Sequence, residues 1–199
     1  MITVANVQTL KSVMLTHERV QPDATFLVAP ETRAILTYRE LTHETRQLAA
    51  CYAAQGLAPG AHVGFLLHNG YQTTRIFLGT IAAGYVVVPL NLLSFGAQLA
   101  YVLQHSAVKL VFTSTAYEKQ LRTAIDLLPA EVAKRICVEV IDSDARNIHA
   151  AYGERELDVP VTPESPAMLM YTSGTTGQPK GALLTHRNLL HAASSVATW

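Results

Sequence analysis

Between Arg75 and Lys109 the chain carries no Asp, Glu, Lys or Arg, and that gap constrains the fold more than any other feature. An apolar run of about 18 or more residues is long enough to span a bilayer. This run is interrupted by Gly79, Gly84, Pro89, Asn91, Ser94, Gly96, Gln98 and Gln104. Pro89 and Asn91 fall where a spanning helix would have its middle or end. The expected alternative is a buried helix over 71–83, a buried strand over 85–88 and a second helix over 95–105. Strands buried on both faces read as continuous apolar runs, so no membrane span is expected.

The flanking segments fit the same architecture. Val7, Leu10, Met14 and Leu15 recur at helical spacing over 7–19. Two short β-like runs, 25–29 and 34–36, bracket a turn at 30–33. Thr37-Tyr38-Arg39-Glu40 has the capping-box pattern, in which hydroxyl and carboxylate satisfy each other's backbone amides. The helix it opens is expected to end near Gln55, with Gly56 as a left-handed cap. Strands are expected over 62–67, 108–113 and 135–141. A second capping-box pattern, Thr115 to Glu118, precedes a helix to about Leu128. Regular alternation of strand and helix implies an α/β fold with a mostly parallel, helix-covered sheet. Residues 142–166 hold most of the local charge and three prolines, and are expected to be a surface connection.

Composition narrows the function classes. Of 199 residues, 49% are hydrophobic and 15% charged, which excludes a disordered chain. The formal net charge is zero, so the broad positive field that nucleic-acid binding requires is missing. Cys51 and Cys137 are far apart and lack CxxC spacing, as expected of buried, reduced thiols in a cytoplasmic protein. The N-terminus shows no signal-peptide pattern. None of the eight histidines has metal-ligand spacing, and no metal site is expected.

The chemistry is concentrated near the C-terminus. An apolar strand, 167–171, runs directly into Thr172-Ser173-Gly174-Thr175-Thr176-Gly177-Gln178-Pro179-Lys180-Gly181. A short strand, 182–184, follows, and Thr185 can cap a helix from His186. Glycines let a ligand approach the backbone amides with no Cβ in the way. Four hydroxyls suit phosphate oxygens, Lys180 adds a positive charge, and successive amides in such a turn form an anion nest. The spacing differs from a Walker A loop, because Gly174 and Gly177 are three apart and Lys180 follows Pro179.

The stretch from Tyr171 to His186, YTSGTTGQPKGALLTH, resembles the phosphate-binding signature of the adenylate-forming (AMP-binding) superfamily. Two upstream segments agree in order. Leu36-Thr37-Tyr38-Arg39-Glu40-Leu41 resembles the family's first core motif. The run from Leu78 to Asn91 resembles its second, where a helix passes to a strand ending in Pro-Leu-Asn. The resemblance implies ATP-dependent activation of a carboxylic acid to an acyl-adenylate, with Mg²⁺ as cofactor and coenzyme A as a further co-substrate. It implies that Thr172, Ser173, Gly174, Thr175, Thr176, Gly177 and Lys180 hold the β- and γ-phosphates. The two upstream motifs are expected to be structural.

The resemblance also implies that 1–199 is the N-terminal portion of the family's large domain. The Mg²⁺-linked Glu, the ribose-binding Asp, and the small C-terminal domain with its catalytic Lys are absent from the sequence. No catalytic residue is therefore identified, and the isolated chain is expected to be inactive and prone to self-association. The expected parent activity is an acyl-CoA synthetase. A peptide-synthetase adenylation domain, an acyl-carrier-protein ligase and a non-catalytic interaction module are the alternatives.

Overall fold

The computed structural model describes residues 8–30, 32–172 and 178–197. Helix α1 (Leu10–Val20) begins at Thr9, whose hydroxyl accepts from the Ser12 amide while Ser12 reaches back. The hairpin β1 (Thr25–Ala29) and β2 (Ala34–Thr37) is antiparallel and separate from the main sheet. Helix α2 (Tyr38–Ala54) opens on the expected capping box. The Glu40 amide donates to Thr37 Oγ1 at 3.2 Å, and the Thr37 amide donates to Glu40 Oε2 at 2.9 Å. Arg146 also donates to Glu40 at 2.8 Å. Burial pushes the Glu40 carboxyl up, but its Thr37 and Arg146 partners outweigh that and hold it below its ordinary value. Gly56 follows with φ +72°, as the cap requires.

The main sheet is built on β3 (His62–Leu66), with β4 (Val86–Pro89) and β5 (Leu110–Thr113) parallel on either side. Beyond β5 lies β6 (Cys137–Val140), also parallel. Beyond β4 lies β7 (Pro166–Thr172), parallel to it, and β8 (Lys180–Thr185) closes that side antiparallel to β7. The order is β6-β5-β3-β4-β7-β8.

Side chains sort by strand period. Val63, Phe65, Val87, Leu110, Phe112 and Met168 pack on one face, with α1, α2 and α3 (Tyr71–Ala82). Leu66, Val86, Val88, Val111 and Leu169 pack on the other, with α4 (Gly96–His105) and α5 (Thr115–Ile125). The chain steps one way from β3 to β4 and the other way from β4 to β5. Right-handed crossovers then put the connecting helices on opposite faces. The charge-free stretch is thus the rest of α3 after Arg75, then β4 and α4, with β4 covered from both sides. Among the described residues no helix is long and apolar enough to cross a membrane.

Three local expectations need correction. Helix α5 is preceded by Ser114, which makes no side-chain cap bond, so Thr115 and Glu118 form no capping box. Glu118 instead accepts from Arg122 at 2.7 Å one turn on. A short helix, α6 (Ala130–Ala133), stands before β6. Cys137 is exposed because β6 is an edge strand, whereas Cys51 is buried.

The last helix, α7 (His186–Ala197), is capped by a reciprocal pair. Thr185 donates to Asn188 Oδ1 from both its amide and its hydroxyl, and the Asn188 amide returns a bond to Thr185 Oγ1. His186 is fully buried, and its Nδ1 accepts the Leu10 amide at 3.1 Å. A first-turn donor of α1 that the helix itself cannot satisfy is thereby tied to α7. Burial, then the charge of Lys11, lowers the His186 pKa below its ordinary 6.5. A lowered folded value means the unfolded chain binds the extra proton first. The His186 contribution is present in full above pH 6.5 and lost as pH falls through its folded value. Denaturant unfolding should therefore show stability falling between pH 7 and 5, with a shallower slope in His186→Asn. In the same assay at pH 7, Thr37→Ala should cost about 1 kcal/mol, the usual scale of a lost helix cap.

Candidate functional site

Strand β7 carries Ala167, Met168 and Leu169 buried in the sheet, and its ends are exposed. Its register with β8 pairs Met170 with Ala182, Tyr171 with Gly181, and Thr172 with Lys180. Thr172 and Lys180 thus form the last rung of an antiparallel ladder, with Cα atoms about 5 Å apart as in any such pair. The glycine-rich loop leaves and returns at this rung. Thr172 and Lys180 are both exposed, and Lys180 makes no ion pair among the described residues. Ser173, Gly174, Thr175, Thr176 and Gly177 lie outside the described residues.

Because β7 runs parallel to β4, the loop emerges at the carboxyl edge of the sheet, where α/β folds bind ligands. Strand β8 then runs back the full length of β7, with Thr185 opposite Pro166. Six residues of strand span about 20 Å, so the start of α7 lies at the opposite edge. In a Walker A loop the helix that follows the loop directs its N-terminus at the phosphates; here the helix that follows begins at the opposite edge.

The neighbouring end of β4 meets the loop stem. Pro89, Asn91, Ser94 and Gln98 line a cavity of about 70 Å³ together with Thr172 and Pro179. Asn91 Oδ1 accepts the Leu93 amide at 2.9 Å, which folds the chain sharply after the strand. The Pro-Leu-Asn segment therefore shapes the wall beside the loop. On the other face, where the connections from β3 and β4 leave to opposite sides, Phe65, Leu67, Phe77, Leu90 and Leu92 line an apolar crevice of about 540 Å³. His68, in the β3–α3 turn, is engaged by the Tyr117 hydroxyl at 2.6 Å.

The connection after β6 holds a buried polar cluster that spacing does not reveal. Cys51, Glu139 and His149 bring one ligand-type atom each within 4.8 Å of one another. Arg75, buried to 1% exposure, donates to His149 Nδ1 at 2.8 Å. A guanidinium only donates, so Nδ1 accepts and Nε2 carries the proton that goes to Glu139 Oε1 at 2.9 Å. Both ring nitrogens are engaged. Burial, then the Glu139 charge, pushes the Cys51 thiol up to about 11. Gln55 bridges Glu139 at 3.1 Å and Cys51 at 3.3 Å. Arg75 is paired in turn with Glu44, which also accepts from Tyr71. The cluster is a hydrogen-bond lock that pins the 142–157 connection to α2, α3 and β6.

Comparison with known proteins agrees with the fold. The chain is 40% identical over 192 residues to the sulfoacetate–CoA ligase of Cupriavidus necator, covering 95% of this chain and 37% of that protein. It is 32% identical over 196 residues to the fatty acid–[acyl-carrier-protein] ligase ScoC of Streptomyces coeruleorubidus, covering 96% and 36%. Among solved structures, the N-terminal domain of FACL13 from Mycobacterium tuberculosis superposes with a TM-score of 0.79 at 27% identity, covering 96% of this chain and 48% of that one. The chain spans a little over a third of the length of these curated relatives. The model of the AMP-binding enzyme family matches residues 14–199, and the chain belongs to that family of adenylate-forming ligases.

Proposed function

We propose that the chain is the N-terminal part of the large domain of an AMP-forming acid–thiol ligase, and that its hairpin loop grips the pyrophosphate end of ATP. The observation that carries this reading is the Thr172–Lys180 rung at the carboxyl edge of the sheet, with a hydroxyl and a cation exposed at the mouth of a Ser/Thr/Gly loop. In the reaction a carboxylate oxygen attacks the α-phosphorus of ATP, the bond to the β-phosphate oxygen breaks, and pyrophosphate leaves. Thr172, Ser173, Gly174, Thr175, Thr176, Gly177 and Lys180 hold that leaving group in line and balance its growing charge. The thiol then attacks the acyl carbon and AMP departs.

Mg²⁺ is the family's expected companion to ATP. A hard cation seeks carboxylate oxygen as well as phosphate, and neither the loop nor the described residues of its stem cavity include an Asp or Glu. These residues fit the phosphates and not the metal, so no step here runs through it. Coenzyme A is favoured as acceptor by Asn91 at the end of β4 and by the likeness to a CoA ligase. The carrier-protein and peptide-synthetase relatives support the same first half-reaction with a different thiol.

By this reading the 199 residues alone lack catalysis and act in the cytoplasm as part of a longer ligase. Leu183, 53% exposed on edge strand β8, supports self-association of the isolated piece. In the full-length ligase, Lys180→Ala should lower carboxylate-dependent ATP–pyrophosphate exchange by about 100-fold, the scale of losing one charge-stabilising group. Unchanged exchange would remove Lys180 from the phosphate role.

A further inference from the structure

The phosphate loop is held at its base by more than the β ladder. Tyr171 occupies the rung directly below Thr172–Lys180, opposite Gly181. Its ring lies over Gly181, where an added Cβ would come within 3.3 Å of Tyr171 Cε1 and Cζ and 3.1 Å of Leu169 Cδ1. A side chain at Gly181 would press on the Tyr171 ring and on Leu169, so the glycine lets the ring lie close over β8. On its other side the Tyr171 hydroxyl is 2.7 Å from Nδ1 of His105 in the last turn of α4, with the two rings edge to face at 5.7 Å. His105 is itself stacked on Tyr101, one turn earlier, with ring centroids 5.4 Å apart.

We infer that His105 is a positioning residue for the phosphate loop, acting through Tyr171, whose ring it clamps against Gly181. Resting on the phosphate-holding role proposed above, this assigns the loop's alignment to a residue 66 positions upstream. The rigid lever is α4, packed by Leu99, Val102 and Leu103 into the face it shares with Leu169. Held by His105, Tyr171 cannot swing about its χ1, so the last rung of the ladder keeps its direction. Released, the stem frays from the Thr172–Lys180 end, where both residues are exposed and unsupported by packing. Burial pushes the Tyr171 phenol up to about 12, so it stays a neutral hydroxyl beside Nδ1 at neutral pH.

The test is ATP–pyrophosphate exchange by the full-length ligase over a range of Mg-ATP concentrations, with thermal midpoints recorded alongside. His105→Ala and Tyr171→Phe should each raise KM for Mg-ATP about 3- to 10-fold, the range of one hydrogen bond. Turnover at saturation should change less than about 2-fold, because misaligned ground-state binding is what is lost. The double variant should be no worse than either single one, since both break the same bond. His105→Asn, which places an acceptor near the Nδ1 position, should restore most of the loss. The inference is overturned by KM unchanged in the single variants while Lys180→Ala weakens exchange, or by additive losses in the double variant. Equal impairment in His105→Ala and His105→Asn overturns it too, because ring packing alone would then be at work. If Lys180→Ala is also without effect, the phosphate reading itself has failed, and this inference fails with it.

Discussion

Everything in this chain hangs on a mostly parallel sheet whose inner strands, β3, β4 and β5, are buried on both faces. Strand β3 has neighbours on both edges and a helical layer above and below, so Val63 and Leu66 are fully buried although they point to opposite sides. Burying a side chain of that size contributes about 1.5–3 kcal/mol, and alternate strand residues contribute to two cores at once. A charge at the inward positions between Ile76 and Val108 would have to be buried without a partner, and those positions carry none. The sheet also sets the geometry of the site, because every parallel strand delivers its following segment to the same edge.

The exceptions to that rule are the informative ones. Strand β8 is antiparallel, and that single reversal folds the glycine-rich segment into a closed loop and sends the following helix to the far edge. In the proposed reading, phosphate recognition then rests on the loop's hydroxyl residues and one lysine. The α2–α3 face holds the other exception, the buried Glu44–Arg75 pair at 3.4 Å. Burying such charges is costly unless each is satisfied. Arg75 meets that need through Gln72, His149 and the Glu44 backbone carbonyl as well as the Glu44 carboxylate. The arrangement fastens a polar connection to an apolar layer.

How much of this was legible in the sequence follows from which interactions are local. The Thr37 capping box, the Gly56 cap and the strand runs are set by residues within a few positions, and the structure keeps them. The same four-residue logic misleads at Thr115, where Ser114 precedes the helix and Glu118 turns to Arg122. His149 sits in a charged, proline-containing stretch that reads as solvated. Its burial comes from Arg75, 74 positions away, which no periodicity reports. The strands flanking the glycine-rich loop were legible, and with them the stem that β7 and β8 form. The grip of His105 on Tyr171 was invisible, because two aromatic residues 66 apart meet only once the sheet is assembled. Gly181 reads as the last residue of the loop, ahead of a strand over 182–184, yet β8 already begins at Lys180 and Gly181 stands inside it under an aromatic ring.

The central claim, that the β7–β8 hairpin presents a phosphate-binding loop at the carboxyl edge of the sheet, is tested most directly by hydrogen–deuterium exchange. The full-length ligase would be compared with and without Mg-ATP and with pyrophosphate alone. The account predicts added protection centred on residues 172–181 and on the adjoining turn after β4 at 90–94, with the start of α7 and the edge strand β6 unchanged. Protection centred on α7, or no change in the hairpin at saturating Mg-ATP, would contradict it.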